Sequence, residues 1–255
     1  MKAVILAGGF GKRLRPLTNV KPKPLILVSG IPILLWQIDW LKKHGVNEII
    51  ICAGYLKERI FDYIGDGSKF GVKVKYAIEE TPLGTGGALR NAAEKLLTND
   101  GRGEEEEAFI MLNGDILTNL DPKKLCASLG GKGGALASIA VIPLPSPYGV
   151  IDIKDTGVIS GFREKPRLDG YWINAGIYCL SPKILKSLPK QGNIETTAFP
   201  DLAEKGLIKA TQYNDVVWRS IDSHKDIEEA EKELKQELDL VAKEYNITQR
   251  QSDAI

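Results

Sequence analysis

Short runs of β-branched residues alternate along the chain with segments of helical periodicity. The runs that predict strands are residues 2–6, 48–52, 72–78, 109–112, 135–142 and 173–180. Between them, residues 33–44 and 86–97 carry apolar side chains at helical spacing. This alternation predicts an α/β fold in which helices cover both faces of a mostly parallel, mixed sheet.

Two features break the alternation. Apolar segments at 150–153 and 158–162, joined by an Asp155-Thr156-Gly157 turn, predict an inserted β-hairpin. From Asp226 to about Tyr245, apolar residues recur at intervals of three and four, which predicts one C-terminal helix with an apolar stripe. Either the helix's own domain or another copy in a homo-oligomer could cover that stripe, and the sequence leaves both open.

Composition and charge exclude several classes of protein. Lys and Arg number 34 against 33 Asp and Glu, a net charge of +1, and a nucleic-acid binder would need a basic excess. The apolar runs are far shorter than the ~20 residues that span a bilayer, and no signal peptide is recognisable. Cys52, Cys126 and Cys179 are isolated and odd in number, which favours three small core residues in a reducing cytoplasm.

The first predicted strand runs into a glycine-rich, basic loop, residues 7–18 (AGGFGKRLRPLT). Glycines here allow a sharp turn and expose N–H groups that suit a phosphate. Leu14 stands where a dinucleotide-binding fingerprint needs its third glycine, and the Walker A pattern is absent. Lys12, Arg13 and Arg15 would complement a triphosphate; otherwise the loop is only a turn with solvated cations.

Three further residues suit phosphate and metal chemistry. Lys23 lies between Pro22 and Pro24, which stiffen the chain around it. Asp115 follows an apolar strand, so it should reach the crevice at the carboxyl ends of the strands together with the glycine loop. A carboxylate plus substrate phosphates is the usual way a protein holds Mg²⁺. Asp222 is a second candidate ligand, although a helix cap explains it as well.

These segments form an ordered set with several others. The set is Ala7-Gly8-Gly9-x-Gly11-x-Arg13-Leu14-x-Pro16-Leu17-Thr18, Lys21-Pro22-Lys23-Pro24-Leu25, Glu80-x-Pro82-Leu83-Gly84-Thr85-x-Gly87, Asn113-Gly114-Asp115, Tyr148-Gly149-Val150, Phe162-x-Glu164-Lys165-Pro166, Asn174-Ala175-Gly176-Ile177-Tyr178 and Ile221-Asp222. Over roughly residues 1–245 the chain resembles the sugar-1-phosphate nucleotidylyltransferases, and most closely those that act as mannose-1-phosphate guanylyltransferases.

The resemblance implies a Rossmann-like, glycosyltransferase-A-like fold with the hairpin inserted in its sugar-binding region and without the β-helix of longer relatives. We expect a single domain over 1–255, with a nucleotide-binding half (1–115), a sugar-phosphate-binding half (116–225) and the C-terminal helix (226–245). The substrates it implies are a nucleoside triphosphate and a sugar 1-phosphate, with pyrophosphate as the second product and Mg²⁺ as the cofactor.

The resemblance also implies a role for each site residue. Arg13 and Lys23 would bind the triphosphate, and Asp115 with Asp222 would hold Mg²⁺; Arg13, Lys23 and Asp115 would carry catalysis. The residues expected at the nucleotide are Leu6, Ala7, Gly8, Gly9, Gly11, Lys12, Arg13, Glu79, Glu80, Pro82, Gly84, Thr85 and Asn113. Those expected at the sugar phosphate are Gly149, Glu164, Lys165, Asn174 and Gly176, with Glu164 on sugar hydroxyls and Lys165 on the phosphate.

The resemblance also implies that residues 79–84 form the segment that faces the base, so we expect Glu79 and Glu80 to set the choice of nucleotide. A carboxylate there could accept from both N1–H and the exocyclic amine of guanine, which favours GTP; the register between the two glutamates stays open. Mannose 1-phosphate is the favoured acceptor. The alternatives are GTP with a manno-heptose 1-phosphate, and UTP or dTTP with glucose 1-phosphate.

A different class of function remains: an inactive relative that senses nucleotide sugars. It would have lost phosphate or metal ligands, yet Arg13, Lys23, Asp115, Lys165 and Asp222 are all present. Two segments depart from the family pattern: residues 223–225 (SHK) differ from the usual turn, and the segment 194–197 (IETT) lacks an acidic residue that is common after its glutamate. These differences bear on the details of the sugar pocket.

Overall fold

The structure is a computed structural model that describes residues 1–97, 107–129 and 134–246. Its strands are β1 (Lys2–Ala7), β2 (Leu27–Val28), β3 (Ile31–Pro32), β4 (Glu48–Ala53), β5 (Lys73–Ile78), β6 (Phe109–Asn113), β7 (Ile116–Thr118), β8 (Ala137–Pro145), β9 (Val150–Ile153), β10 (Ile159–Arg163), β11 (Arg167–Leu180), β12 (Ile208–Gln212) and β13 (Trp218–Ser220). Its α-helices are α1 (Ile33–Lys43), α2 (Lys57–Ile64), α3 (Gly84–Leu96), α4 (Pro122–Leu129), α5 (Ala198–Glu204), α6 (His224–Glu233) and α7 (Lys235–Glu244).

The main sheet has seven strands within the described residues, in the order β12-β8-β11-β6-β1-β4-β5. Its neighbours pair in parallel except at β11, which is antiparallel to both β6 and β8. The predicted α/β class with a mostly parallel, mixed sheet is confirmed. Three two-stranded ribbons lie outside this sheet: β2 with β3, β7 with β13, and β9 with β10.

Helices cover both faces of the sheet because side chains alternate along each strand. Ala3 and Ile5 of β1 face one apolar cluster, which includes α1 and the C-terminal helices. Val4 faces the other cluster, which includes α3 and α5. Trp36 and Trp40 are buried in the first cluster. All six predicted strands and both predicted helices exist, with ends that shift by a few residues, whereas α2, α4 and α5 were not predicted.

The C-terminal segment differs from the single helix predicted for 226–245. Two helices, α6 and α7, meet at Leu234, whose backbone (φ −110°, ψ 17°) is not helical. Leu234 is itself fully buried, together with Ala230, Leu238 and Val241, in the core of the same chain. The chain's own domain therefore covers the apolar stripe, and the break allows both helices to direct it inward.

The cysteine prediction is wrong for two of the three residues. Cys126 on α4 and Cys179 on β11 are joined in a disulfide across 53 residues of sequence, because α4 packs directly on β11. Cys52 is a free, buried cysteine, as expected. In the described part of the chain, no helix has the length and apolar character needed to cross a membrane.

Candidate active site

A cavity of about 320 Å³ opens where β1, β5 and β6 end at the carboxyl edge of the sheet. Ligands of open α/β sheets bind at this edge, and the volume is within the usual range for small-molecule sites. The cavity is lined by Leu6, Ala7, Gly8, Gly9, Phe10, Lys23, Pro24, Glu79, Pro82, Gly84, Thr85, Ala88, Asn113, Gly114, Asp115 and Asn193. The glycine loop and Asp115 thus share one crevice.

Two glycines of the loop after β1 are closely surrounded. A Cβ on Gly8 would lie 2.5 Å from Oε1 at the flexible end of the Glu79 side chain, so a side chain there would displace the carboxylate. Gly11 has a left-handed backbone (φ 59°), and its Cβ would lie 2.8 Å from Cγ2 of Thr18. The Thr18 hydroxyl also donates to the Gly11 carbonyl at 2.9 Å, which closes the loop over the end of the strand.

Two carboxylates and two cations meet beside the cavity. Nζ of Lys23 lies 2.5 Å from Oδ2 of Asp115 and 2.7 Å from Oδ1 of Asp222, and Nη2 of Arg13 lies 2.8 Å from the same Asp222 oxygen. Burial opposes ionisation of Asp222, but the hydrogen bond from Lys23 and the charges of Lys23 and Arg13 outweigh it, so its pKa lies below the usual value. This group is called the carboxylate-cation centre below.

The fold brings residues from distant parts of the sequence to this centre. Asp115 follows β6 and precedes β7, while Asp222 follows β13, and β7 pairs with β13 in an antiparallel ribbon. The backbone N–H of Ile221 donates to the Asp115 carbonyl at 2.9 Å, which locks the two segments side by side. The ribbon therefore sets the separation of the two carboxylates.

The centre fits a divalent cation bound through two carboxylates. The ammonium of Lys23 shows that a positive charge can contact Asp115 and Asp222 at once. Within the described ranges no group of three or more His, Cys, Asp and Glu side chains comes together as a metal cage. A pair of carboxylates completed by substrate phosphates is the arrangement that suits Mg²⁺.

Glu79 and Glu80 point in different directions. Glu79 lines the cavity and its Oε2 accepts from the Leu83 N–H at 3.2 Å. Burial raises the pKa of Glu79, and the Leu83 hydrogen bond only partly opposes this. Glu80 is 79% exposed and pairs with Lys57 at 2.8 Å. Of the two glutamates, Glu79 is the one that can meet a ligand in the cavity.

A hydrogen-bonded chain runs from the cavity towards β11. Thr85 donates to Oε2 of Glu195 at 2.6 Å, and the Tyr178 hydroxyl donates to Oε1 of Glu195 at 3.3 Å. Asn174 donates to the same tyrosine oxygen at 2.8 Å. Burial, reinforced by the charge of Glu195, raises the pKa of Tyr178, so its hydroxyl keeps the proton that it donates. Asn174 is thereby connected to Thr85 in the cavity wall.

Three other residues expected at the sugar phosphate, Gly149, Glu164 and Lys165, lie around the hairpin β9–β10, while the fourth, Gly176, lies on β11 beside Asn113. Gly149 and Glu164 are adjacent, since a Cβ on Gly149 would lie 3.1 Å from Oε2 of Glu164. Glu164 is 64% exposed, and its Oε1 is 4.0 Å from Nζ of Lys165. Lys165 has a left-handed backbone (φ 45°), a strained conformation for a residue with a side chain. The cavity wall described above includes none of these three residues.

The structure thus divides the predicted site residues into two groups. Eleven line the cavity: Leu6, Ala7, Gly8, Gly9, Lys23, Glu79, Pro82, Gly84, Thr85, Asn113 and Asp115. Outside its wall are Gly11, Lys12, Arg13, Glu80, Gly149, Glu164, Lys165, Asn174, Gly176 and Asp222. Sequence reasoning missed Phe10, Pro24, Ala88, Gly114 and Asn193. The first four lie in or beside recognised motifs, whereas Asn193 carried no signal, because its Oδ1 meets Thr85 across 108 residues of sequence.

Residues 2–237 match the family described as Nucleotidyl transferase. The chain belongs to this family. Among curated proteins it is 39% identical over 233 residues to the mannose-1-phosphate guanylyltransferase catalytic subunit beta of Dictyostelium discoideum, covering 89% of this chain and 62% of that protein. It is 41% identical over 209 residues to mannose-1-phosphate guanylyltransferase 1 of Arabidopsis thaliana, covering 80% of this chain and 56% of that protein.

The fold of this nucleotidyl transferase is also found in solved structures. The crystal structure of HddC from Yersinia pseudotuberculosis complexed with GMP-PN matches with a TM-score of 0.68 and 30% identity, covering 91% of this chain and 99% of that one. The chain spans only 56–62% of the length of the two guanylyltransferases above.

Proposed function

We propose that this nucleotidyl transferase moves a nucleotidyl group from a nucleoside triphosphate, with GTP favoured, to a sugar 1-phosphate, with mannose 1-phosphate favoured, and releases pyrophosphate. One observation carries the proposal: Glu79 and the Lys23–Asp115 pair line the same cavity at the carboxyl edge of the sheet. A bound nucleotide requires a carboxylate that contacts its base. It also requires a cation and a metal ligand beside its phosphates.

Glu79 is the residue that we assign to the base. Its carboxylate is half-buried in the cavity wall, where it can accept from both N1–H and the exocyclic amine of guanine. Adenine, uracil and thymine do not present this pair of donors. A bidentate contact of this type is worth about 1–3 kcal/mol of discrimination between bases.

The triphosphate would lie between the glycine loop and the carboxylate-cation centre. Backbone N–H groups of the loop and the side chains of Arg13 and Lys23 would bind its oxygens. Asp115 and Asp222 would hold Mg²⁺, which supplies Lewis-acid stabilisation of charge on the phosphate oxygens when bound. In the structure the Lys23 ammonium pairs with both aspartates, so we expect it to move towards the phosphates when the metal binds.

The reaction is an in-line displacement at the α-phosphorus. An oxygen of the sugar phosphate forms the new bond to the α-phosphorus, while the bond to the bridging α,β oxygen breaks and its electron pair leaves with pyrophosphate. The attacking phosphate is already ionised at neutral pH, so no general base is needed. Catalysis then comes from positioning and from the charges of Arg13 and Lys23.

The acceptor sugar is assigned to the side of the cavity that faces β11 and the hairpin. Asn174, held by Tyr178, would contact the sugar, and Glu164 would accept from its hydroxyls. Lys165 would bind the sugar phosphate, and its strained backbone supports a functional role. Both substrates carry phosphates that do not cross membranes unaided, which favours a cytoplasmic location.

The comparisons support guanine and mannose 1-phosphate over the other pairs. The curated relatives reported above are mannose-1-phosphate guanylyltransferases at about 40% identity. HddC, of nearly the same length as this chain, was crystallised with GMP-PN.

The test is pyrophosphate release with Mg²⁺ for GTP, UTP, dTTP, ATP and CTP, each with mannose 1-phosphate, with glucose 1-phosphate and with a manno-heptose 1-phosphate. We expect the GTP and mannose 1-phosphate pair to be fastest. Fastest release with UTP or dTTP and glucose 1-phosphate would keep the reaction and reject the specificity. GTP-dependent release only with a manno-heptose 1-phosphate would reject mannose, and no release with any pair would favour a nucleotide-sugar sensor.

A further inference from the structure

Gln37 is a polar residue buried in an apolar helix. Every residue from Ile33 to Leu41 on α1 is buried, and Gln37 is 1% exposed. Burying a side-chain amide without hydrogen bonds is costly, so such a residue is normally present for the bonds that it makes.

The amide nitrogen of Gln37 holds both ends of one turn. Nε2 donates to the carbonyl oxygen of Asn113 at 2.8 Å and to that of Ile116 at 2.9 Å. Between these two residues lies Gly114-Asp115, the turn that joins β6 to β7 and carries the carboxylate of the centre. Because both partners are carbonyl oxygens, only the NH₂ group of the amide can face them.

Backbone hydrogen bonds hold the inside of the same turn. Gly114 N–H donates to the Leu6 carbonyl at 2.9 Å, and the Asp115 carbonyl accepts from Ile221 at 2.9 Å. A Cβ on Gly114 would lie 2.6 Å from the Leu6 oxygen, so the turn approaches β1 more closely than a residue with a side chain would allow. Gln37 closes the turn from the helix side.

The amide oxygen of Gln37 indicates why a polar residue is present at this position. Oε1 of Gln37 is buried and has no hydrogen-bond partner in the described part of the chain. The chain therefore keeps an orphaned acceptor in its core in order to retain the two donors. An apolar side chain of the same size would avoid the orphaned oxygen but would take the amide donor away from both carbonyl oxygens of the turn, so the amide is retained for its contacts with the turn.

We propose that Gln37 is a positioning residue that fixes the Asp115 carboxylate where it can bind the catalytic cation together with Asp222. This inference rests on the proposed function, in which Asp115 is a metal ligand. Gln37 acts through the turn and does not touch the substrate. Residues that orient a metal ligand typically change metal affinity or activity about 10- to 100-fold when they are replaced.

The test compares Gln37→Met with a matched variant on the same helix. Gln37→Met keeps the volume and removes both hydrogen bonds to the turn. Trp40→Phe removes a hydrogen bond of 3.0 Å to the Leu120 carbonyl, which is also buried but is not part of the turn. Gln37→Met thus removes two buried hydrogen bonds and Trp40→Phe removes one, and only the two bonds of Gln37 hold the metal-ligand turn.

The readout is protein-bound Mn²⁺, measured by water-proton relaxation with a GTP analogue whose α,β-bridging oxygen is methylene. Thermal unfolding and the Mg²⁺ dependence of kcat are measured alongside. We expect Gln37→Met to weaken Mn²⁺ binding about 10- to 100-fold relative to Trp40→Phe, whatever the loss in Tm of either variant. Equal Mn²⁺ affinity in the two variants would overturn the proposal.

Two further variants keep the result interpretable. If Gln37→Met does not fold, Gln37→Asn replaces it, because this variant retains the amide but shortens its reach. Gln37→Asn should still bind Mn²⁺ more weakly than Trp40→Phe, and equal binding would overturn the proposal.

Asp115→Asn tests the proposed function separately. If Asp115→Asn binds Mn²⁺ as tightly as the wild type does, Asp115 is not a metal ligand. The role proposed for Gln37 then loses its basis.

Discussion

The two sides of the candidate site are built differently. The cavity side belongs to the carboxyl edge of a seven-stranded sheet, and its key amine, on Lys23, is only 13% exposed. The sugar side includes the ribbon β9–β10, which is a separate two-stranded sheet with exposed Glu164 and Lys165. A two-stranded hairpin is marginally stable alone, whereas a sheet edge is rigid.

Under the proposed function, this difference predicts how each side would recognise its substrate. Groups on a rigid edge are held in place before the ligand arrives, so the nucleotide side is preorganised. On the hairpin, binding must include the cost of ordering Glu164 and Lys165. Changes on the cavity side should therefore act on the chemical step and nucleotide choice, and changes on the hairpin should act on the affinity for the sugar phosphate.

The largest effect is expected for Asp115→Asn. Loss of a metal ligand removes Lewis-acid stabilisation worth several kcal/mol, so kcat should fall at least about 1,000-fold while the fold is retained. Pyrophosphate release and circular dichroism measure the two outcomes. Asp201→Asn is the control, because Asp201, on α5, forms an exposed ion pair with the adjacent Lys205. Near-normal turnover of Asp115→Asn would show that the edge is not where the chemistry occurs.

Lys165→Met should have the next largest effect and should act on one substrate. Loss of a charge-assisted hydrogen bond of about 1.5–3 kcal/mol predicts a KM for the sugar phosphate raised about 10- to 150-fold. The KM for GTP should not change. Lys154→Met, at the turn of the same hairpin, is the matched control. If the KM for GTP rises equally, the two sides do not recognise separate substrates and the comparison fails.

Glu79→Gln should weaken nucleotide choice. Preference for GTP over UTP, measured as the ratio of kcat/KM values, should fall about 5- to 150-fold, since the amide cannot accept from both guanine donors. Glu80→Gln is the matched control, since it removes only an exposed ion pair with Lys57. If the Glu80 variant loses as much selectivity as the Glu79 variant, the register assigned to the two residues is wrong.

The smallest effect concerns stability without nucleotide. Burial raises the pKa of Glu79, so the folded protein binds its proton more tightly than the unfolded chain does. The folded state therefore loses stability as pH rises from the unfolded pKa of about 4.3 through the raised folded value. The Tm of Glu79→Gln minus the Tm of the wild type should therefore increase, by a few degrees at most, as the pH rises through this window. A constant difference would mean that the cavity does not desolvate this carboxylate.

Much of the architecture could be predicted from local patterns. The six strands and helices α1 and α3 have clear periodicities, and the Asp155-Thr156-Gly157 turn marks the hairpin. Asp115 was predicted at the carboxyl edge because it directly follows an apolar strand. These features depend on residues a few positions apart, so the linear sequence contains them.

Other features depend on contacts between distant segments. Gln37 stands in a helical pattern that reads as core, and its partners are 76 and 79 residues away. The Cys126–Cys179 pairing, the break at Leu234 and the approach of Asn193 to Thr85 have the same origin. No local pattern records which segment will lie against which.

The sequence by itself determined the fold class, the family resemblance and the residue types available for phosphate, metal and base. The tertiary structure decided which of them face one another: Glu79 rather than Glu80 in the cavity, Lys23 between Asp115 and Asp222, and Gln37 behind the turn. The physical reason is that periodicity sets which face of an element is buried, whereas packing between elements sets which side chains lie within hydrogen-bonding distance.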